Sequence, residues 1–168
     1  VLRRTKKSVL KDLPEKIEKN MYLDFNETEL KKYNLLKKSI QAAVLDDENS
    51  SSELKKRNHY LKIIEGITRL RQGALDFRLL PGEKKNTTLN VSTKITQLVD
   101  ELKTVTKEGS RALVFSQFSS FLDLVADELE SENLKYSHID GSTKNRDKEI
   151  NKFKSNDTSV FLSTLKTG

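Results

Sequence analysis

From Ala112 to Leu162 strand-like and helix-like segments alternate with only short connections between them. Ala112-Leu113-Val114-Phe115 is a continuous apolar run, the mark of a strand buried on both faces. Helical spacing follows over Phe118 to Ser131, then a strand at Tyr136 to Ile139. A helix over Lys144 to Lys154, around Ile150 and Phe153, leads to another buried strand at Val160 to Leu162. Two strands joined through a helix run parallel, so the pattern β-α-β-α-β predicts a parallel sheet with right-handed crossovers. The sheet is preceded by an amphipathic helix, Thr93 to Lys107, which turns Ile95, Leu98, Val99, Leu102 and Val105 inward. Gly109 stands at the C′ position that closes it.

The first half of the chain has a different rhythm. Ile17, Met21, Leu23 and Phe25 read as a strand. Asn26 follows as a helix N-cap, with Glu29 placed to reach back as in a capping box. Leu30, Tyr33, Ile40 and Val44 continue at helical spacing, and the polar run Asp46 to Glu53 reads as a mobile loop. A second helix starts near Leu54 and carries Leu61, Ile64, Ile67 and Leu70 on one face. Pro81-Gly82 ends this unit, and Glu83 to Asn90 is a polar linker. No internal repeat is visible.

Composition limits what such a chain does. Its 168 residues include no cysteine, which excludes a disulfide scaffold, a thiolate zinc site and a cysteine nucleophile. A cysteine-free chain fits a reducing interior, nucleus and bacterial cytoplasm alike. No apolar stretch approaches the roughly 20 residues that cross a bilayer, so neither a membrane span nor a signal peptide is expected. Residues 1–84 hold 19 basic and 13 acidic side chains, against 12 of each in residues 85–168. All of the positive excess lies in the helical half. Such an excess permits a polyanionic partner, although charge on helices is also the ordinary composition of a solvated face.

In open parallel sheets ligands bind beyond the carboxyl ends of the strands. Three loops qualify here: Ser116-Gln117, Asp140-Gly141-Ser142-Thr143, and Ser163 to Gly168. Their glycines and hydroxyl residues allow close approach to a phosphate and offer donors at a helix start. The amides and hydroxyls of Ser142 and Thr143 suit one backbone phosphate of a nucleic acid, gripped without reading sequence. The alternative is that Ser142 or Thr143 is simply the N-cap of the next helix. Ser116-Gln117 admits the same plainer reading as a helix start, and Lys166 that of an exposed lysine. His59 and His138 lack neighbours at metal-ligand spacing, so no metal site is expected. No Gly-x-x-x-x-Gly-Lys-Ser/Thr occurs, and no triad or paired-carboxylate centre is suggested by spacing.

With these residues in view, the chain resembles the Swi/Snf-type ATPases, superfamily-two helicase relatives. Leu2-Arg3-Arg4-Thr5-Lys6 and Leu13-Pro14-Glu15-Lys16 are similar to the family's entry into its second lobe, and Leu70-Arg71-Gln72 to its Leu-Arg-Gln motif. The Cys-x-His-Pro that commonly follows that motif is absent, and Ala74 to Leu79 departs from the pattern. Ala112 to Phe118 resembles motif IV; His138 to Thr143, with Arg146, Ile150 and Phe153 behind it, resembles the next motif. Phe161 to Gly168 resembles the start of motif V, with Thr164 and Thr167 replacing serine and alanine.

The resemblance implies an α/β fold: a partial RecA-like parallel sheet with flanking helices, preceded by a helical protrusion. Residues 1–25 would be a linker and strand entering lobe two, 26–90 the protrusion, and 91–168 the lobe itself, cut within motif V. It implies a double-stranded DNA translocase driven by ATP and Mg2+, with the nucleotide held mainly by a first lobe absent here. Ser116, Gln117, Gly141, Ser142, Thr143, Thr164 and Lys166 would then follow the DNA phosphates, and Gly168 would begin the loop toward the nucleotide. No ATP turnover is expected from these residues alone. Two other readings stay open: the second lobe of an RNA or single-strand helicase, and a non-catalytic module whose 26–75 helices bind a protein partner. The entry segment and the protrusion argue against the first of these.

Overall fold

A computed structural model describes residues 16–45, 53–83 and 91–165. Helix α1 (Glu27–Leu45) begins at the expected capping box. The Asn26 carboxamide accepts from the Glu29 amide at 2.9 Å, and Glu29 accepts from the Asn26 amide at 3.0 Å. Helix α2 (Glu53–Gly73) packs back along α1, its first residue falling where the sequence reads as loop. Residues 46–52, the rest of that loop, lie outside the described residues.

The α1–α2 seam closes where two glycines of α2 meet large apolar residues of α1. A Cβ on Gly66 would sit 2.5 Å from Ile40 Cγ2, and one on Gly73 would sit 2.9 Å from Leu36 Cδ2. His59, Ile63 and Leu70 share that buried or half-buried side. Leu61, Ile64 and Ile67, grouped with Leu70 by sequence spacing, are instead exposed. A strict three-residue spacing drifts around a helix of 3.6 residues per turn, whereas steps of three and four hold one face.

The strand expected over Ile17 to Phe25 is absent. Residues 16–25 form no ladder, and Ile17 and Tyr22 are almost fully exposed. Among the described residues the three strands pair only with one another, so this alternating segment has no hydrogen-bonding neighbour. Phe25 packs against α1, its ring centroid lying 5.1 Å from that of Tyr33.

Helix α3 (Thr93–Lys107) has the expected ends. The Ser92 hydroxyl accepts from the Ile95 amide, and Gly109 takes φ +75°. The Gly109 and Ser110 amides donate to Thr106 and Val105 carbonyls at 3.0 and 3.1 Å, a complete Schellman closure. Strand β1 (Ala112–Ser116), helix α4 (Ser119–Ser131), strand β2 (Tyr136–Ile139), helix α5 (Arg146–Lys154) and strand β3 (Val160–Thr164) follow. The sheet is wholly parallel with β3 between β1 and β2. Ile95, Leu122, Val125, Leu129, Val160 and Leu162 form its dry core under α3 and α4.

Two-sided burial of β1 does not hold. Leu113 is 57% and Phe115 49% exposed, while Ala112 and Val114 face the core. Leu113 pairs in register with Phe161, so both point to the face opposite α3 and α4. Helix α5 covers that face over Phe161, with Phe153 5.3 Å from it, and leaves the edge strand bare.

Candidate nucleic-acid interface

All three strands end on one edge of the sheet. Ser116 is level with Thr164 and Ile139 with Ser163, so the loops after β1, β2 and β3 emerge side by side. The Leu165 amide donates to the Ser116 carbonyl at 3.2 Å, joining the first and third of them. Lys166 and Gly168 lie outside the described residues.

The expected contact residues divide by exposure. Ser116 and Thr164 are buried beneath the rim, and the Ser116 hydroxyl accepts from the Phe118 amide at 3.1 Å. Gln117, Gly141 and Ser142 are exposed, with Thr143 half-buried behind them. The Asp140-Gly141-Ser142-Thr143 turn is closed on itself. Asp140 Oδ1 accepts from the Ser142 amide at 2.9 Å, the Ser142 hydroxyl at 2.8 Å and the Thr143 hydroxyl at 2.9 Å. Thr143 Oγ1 in turn accepts from the Asp140 amide at 3.0 Å. The Ser142 hydroxyl bond, then those from Thr143 and the Ser142 amide, hold the Asp140 carboxyl below its usual range against the opposing effect of burial, with His138 adding a little.

This turn is not the cap of the helix that follows. Asn145 caps α5 by accepting from the Lys148 amide at 3.0 Å, so the helix begins at Arg146 rather than at Lys144. A carboxylate inside the turn competes for Ser142 and Thr143 more strongly than the helix start does. Helix α4, by contrast, begins at the rim behind Phe118 with no side-chain cap, and its N-terminus is electropositive.

Several rim groups escape sequence reading. Lys144, Arg146 and Lys148 stand exposed directly after the turn. The signal was available in the basic residues that follow Thr143. Arg71, from the last turn of α2, reaches across to Gln117 and lies over the Phe118 ring at 5.8 Å from its centroid. No local pattern announces a contact between residues so far apart in the chain.

His138 is not isolated. Among the described residues, ligand atoms of Asp123, His138 and Asp140 lie within 4.8 Å of one another, and His138 Nδ1 is 4.0 Å from Asp123 Oδ1. Asp140 already serves three donors and Asp123 is exposed, so the group reads as a loose polar cluster. Among the described residues no glycine lies in a lysine-bearing phosphate loop. Gly66 and Gly73 are spent on the helix seam, and Gly82 and Gly109 on turns with positive φ. Gly141, in the open rim turn, has no lysine-bearing phosphate loop around it.

Two family models account for most of the chain. The SNF2-related domain matches residues 1–77 and the helicase conserved C-terminal domain matches residues 93–168. The chain belongs to the Swi/Snf-type, helicase-related family. It is 32% identical over its full length to the ISWI chromatin-remodeling complex ATPase ISW2 of Saccharomyces cerevisiae, of which it spans 15%. It is 37% identical over 46% of its length to the DNA repair protein rad8 of Schizosaccharomyces pombe, spanning 7% of that protein. The Sulfolobus solfataricus SWI2/SNF2 ATPase core in complex with double-stranded DNA superposes with a TM-score of 0.71. That match has 25% identity and covers 97% of this chain and 34% of the other. The Swi/Snf chain therefore has the partial RecA-like sheet that its motifs imply.

Proposed function

We propose that this chain is part of the second RecA-like lobe of an ATP-dependent double-stranded DNA translocase. Residues 26–90 form its helical protrusion and 91–168 the lobe proper. The observation that carries the proposal is the convergence of the β1, β2 and β3 loops on one sheet edge. There the Gln117 carboxamide, the exposed Gly141 backbone and the open N-terminus of α4 offer donors to a phosphate, the Ser142 amide being held by Asp140. Ser142 and Thr143 keep their side chains on Asp140, so their part is to hold the turn while its exposed backbone approaches the strand. Ser116 and Thr164 support the rim from below, and Lys166 is assigned to the track from its motif alone. Lys144, Arg146 and Lys148 supply positive charge beside the track. Such contacts position the duplex without reading its sequence and weaken with salt.

In the whole protein ATP and Mg2+ are held mainly by a first lobe, with the loop starting at Gly168 linking nucleotide to DNA. When bound, the nucleotide supplies the energy that opens and closes the two lobes; this chain's own residues grip and release the strand. The protein works inside the cell where its DNA is. Its relatives' names, a remodelling ATPase and a repair protein, point to the same substrate.

The test is ATP hydrolysis by the full-length protein with duplex DNA, single-stranded DNA, RNA or no nucleic acid. It is repeated with Gly141-Ser142-Thr143 replaced by bulky residues. Stimulation chiefly by duplex, cut about tenfold by the replacement, is expected. Preference for RNA moves the assignment to an RNA helicase lobe, and indifference to every nucleic acid to an interaction module on the 26–75 helices.

A further inference from the structure

We infer that Arg71 is a positioning residue for the DNA interface, acting by fixing which end of the Gln117 carboxamide faces the phosphate. The inference rests on the reading above, that Gln117 lies on the phosphate track. Its basis is the hydrogen bond from the Arg71 guanidinium to Gln117 Oε1, across the junction between α2 and the β1–α4 loop.

A phosphate only accepts hydrogen bonds, so it needs the Nε2 amide hydrogens of Gln117 and is repelled by Oε1. An exposed glutamine turns freely between its two ends, because the terminal torsion has two broad wells. A guanidinium has donors and no acceptor, so it bonds Oε1 and never Nε2. With Oε1 drawn toward α2, the amide hydrogens are left for the open side. Arg71 is itself held. Its guanidinium lies 5.8 Å from the Phe118 ring centroid, within the range where an aromatic face attracts a cation. It also sits in the last turn of α2, where the helix dipole favours positive charge. Phe118 immediately follows Gln117 and precedes α4, so the ring that holds the arginine lies next to the side chain it orients.

This arrangement ties the protrusion to the track by way of a neutral donor. It predicts a signature that a direct Arg71–phosphate contact does not share. Losing a cation bound to phosphate lowers the slope of log affinity against log salt by about 0.9, whereas losing a neutral donor does not.

The experiment is duplex binding by the full-length protein over a salt series, for Arg71→Ala, Gln117→Ala and the double variant, with melting temperatures to confirm folding. Gln117→Ala is expected to weaken binding about tenfold and Arg71→Ala three- to tenfold. The double variant should be no weaker than Gln117→Ala, and the salt slope should change by well under one contact. In a Gln117→Lys background, whose ammonium has donors only, Arg71→Ala should cost nothing. Additive losses with a slope lower by about 0.9 would make Arg71 a phosphate ligand and overturn the inference. Full affinity in Arg71→Ala beside a weakened Gln117→Ala would also overturn it. If Gln117→Ala binds normally while disruption of Gly141-Ser142-Thr143 weakens binding, Gln117 is off the track and the inference falls alone. If neither change matters, the interface assignment itself fails.

Discussion

Glu29 accepts hydrogen bonds from the backbone amide of Thr93 at 2.8 Å and from the Thr93 hydroxyl at 2.7 Å. The same carboxylate takes the Asn26 amide, so one buried acid closes the first turn of α1 and braces the first turn of α3. Anions are stabilising at helix N-termini, and here one serves two of them.

Glu29→Ala strands the Asn26 and Thr93 amides in a partly buried place. A lost cap costs about 0.5–2 kcal/mol, and two are lost together, so a destabilisation of about 2 kcal/mol is expected. Glu29→Gln keeps the shape but not the charge and should cost about half as much. Denaturant unfolding of the two variants checks this; equal stability to the parent would mean that water replaces the carboxylate without loss.

The buried pair Asp76–Arg78 joins the helical half to the sheet. Asp76 Oδ1 accepts from the Arg78 amide at 2.8 Å and Nε at 3.0 Å, and Oδ2 from a terminal guanidinium nitrogen at 2.9 Å and the Ser92 amide at 3.2 Å. Asp76→Ala leaves the guanidinium, in a place 6% exposed, with only the longer 4.0 Å contact to Glu128, which costs about 3 kcal/mol. Replacing both partners by apolar residues, as in Asp76→Leu with Arg78→Met, should recover most of that but not the Ser92 amide. A double variant as unstable as Asp76→Ala alone would show that the ion pair is not what the single change breaks.

Acid should loosen the Asp140 turn late. Its carboxyl is held below the ordinary 3.8 by donors that prefer the charged form. A carboxyl depressed in the folded state adds stability that is present above its unfolded value and lost as pH falls through the folded one. The turn is therefore intact at pH 5 and opens only below about 3.8. The amide resonance of Ser142 followed by NMR from pH 6 downward reports it, and Asp140→Asn should remove the titration. A midpoint above the ordinary value would mean that burial, not hydrogen bonding, governs this group.

What sequence alone reveals here depends on how local the signal is. The Asn26–Glu29 box, the span of α3 with Gly109 at its end and the position of β2 are set within a few residues of one another, and all were legible; the Ser92 cap was not singled out. The Gly66–Ile40 and Gly73–Leu36 seam was not, because a close helix contact made by absent side chains leaves no hydrophobic pattern. Asp76–Arg78 was passed over as a departure from a family motif, since the short 3-10 turn Phe77–Leu79, which Asp76 caps, has no period of its own. Arg71–Gln117 joins two elements distant in the chain, beyond any spacing rule. The run 17–25 alternates except at Lys19, which is out of step, and forms no strand, for a strand is defined by its neighbour.

The edge strand gives the sharpest contrast between pattern and environment. Phe115 and Leu162 are both large apolar residues in adjacent, paired strands, yet Phe115 is 49% exposed and Leu162 fully buried. Phe115→Thr removes an aromatic ring that is already half in water and substitutes a residue suited to strands, so this chain should lose under about 1 kcal/mol. Leu162→Thr puts a hydroxyl into the dry layer between α4 and the sheet and removes apolar volume, at a cost of about 3 kcal/mol. Unfolding midpoints of the two variants measure the difference. If Phe115→Thr proved as damaging as Leu162→Thr, the outer face of β1 would have to be covered in solution, and its residues would count as core rather than edge.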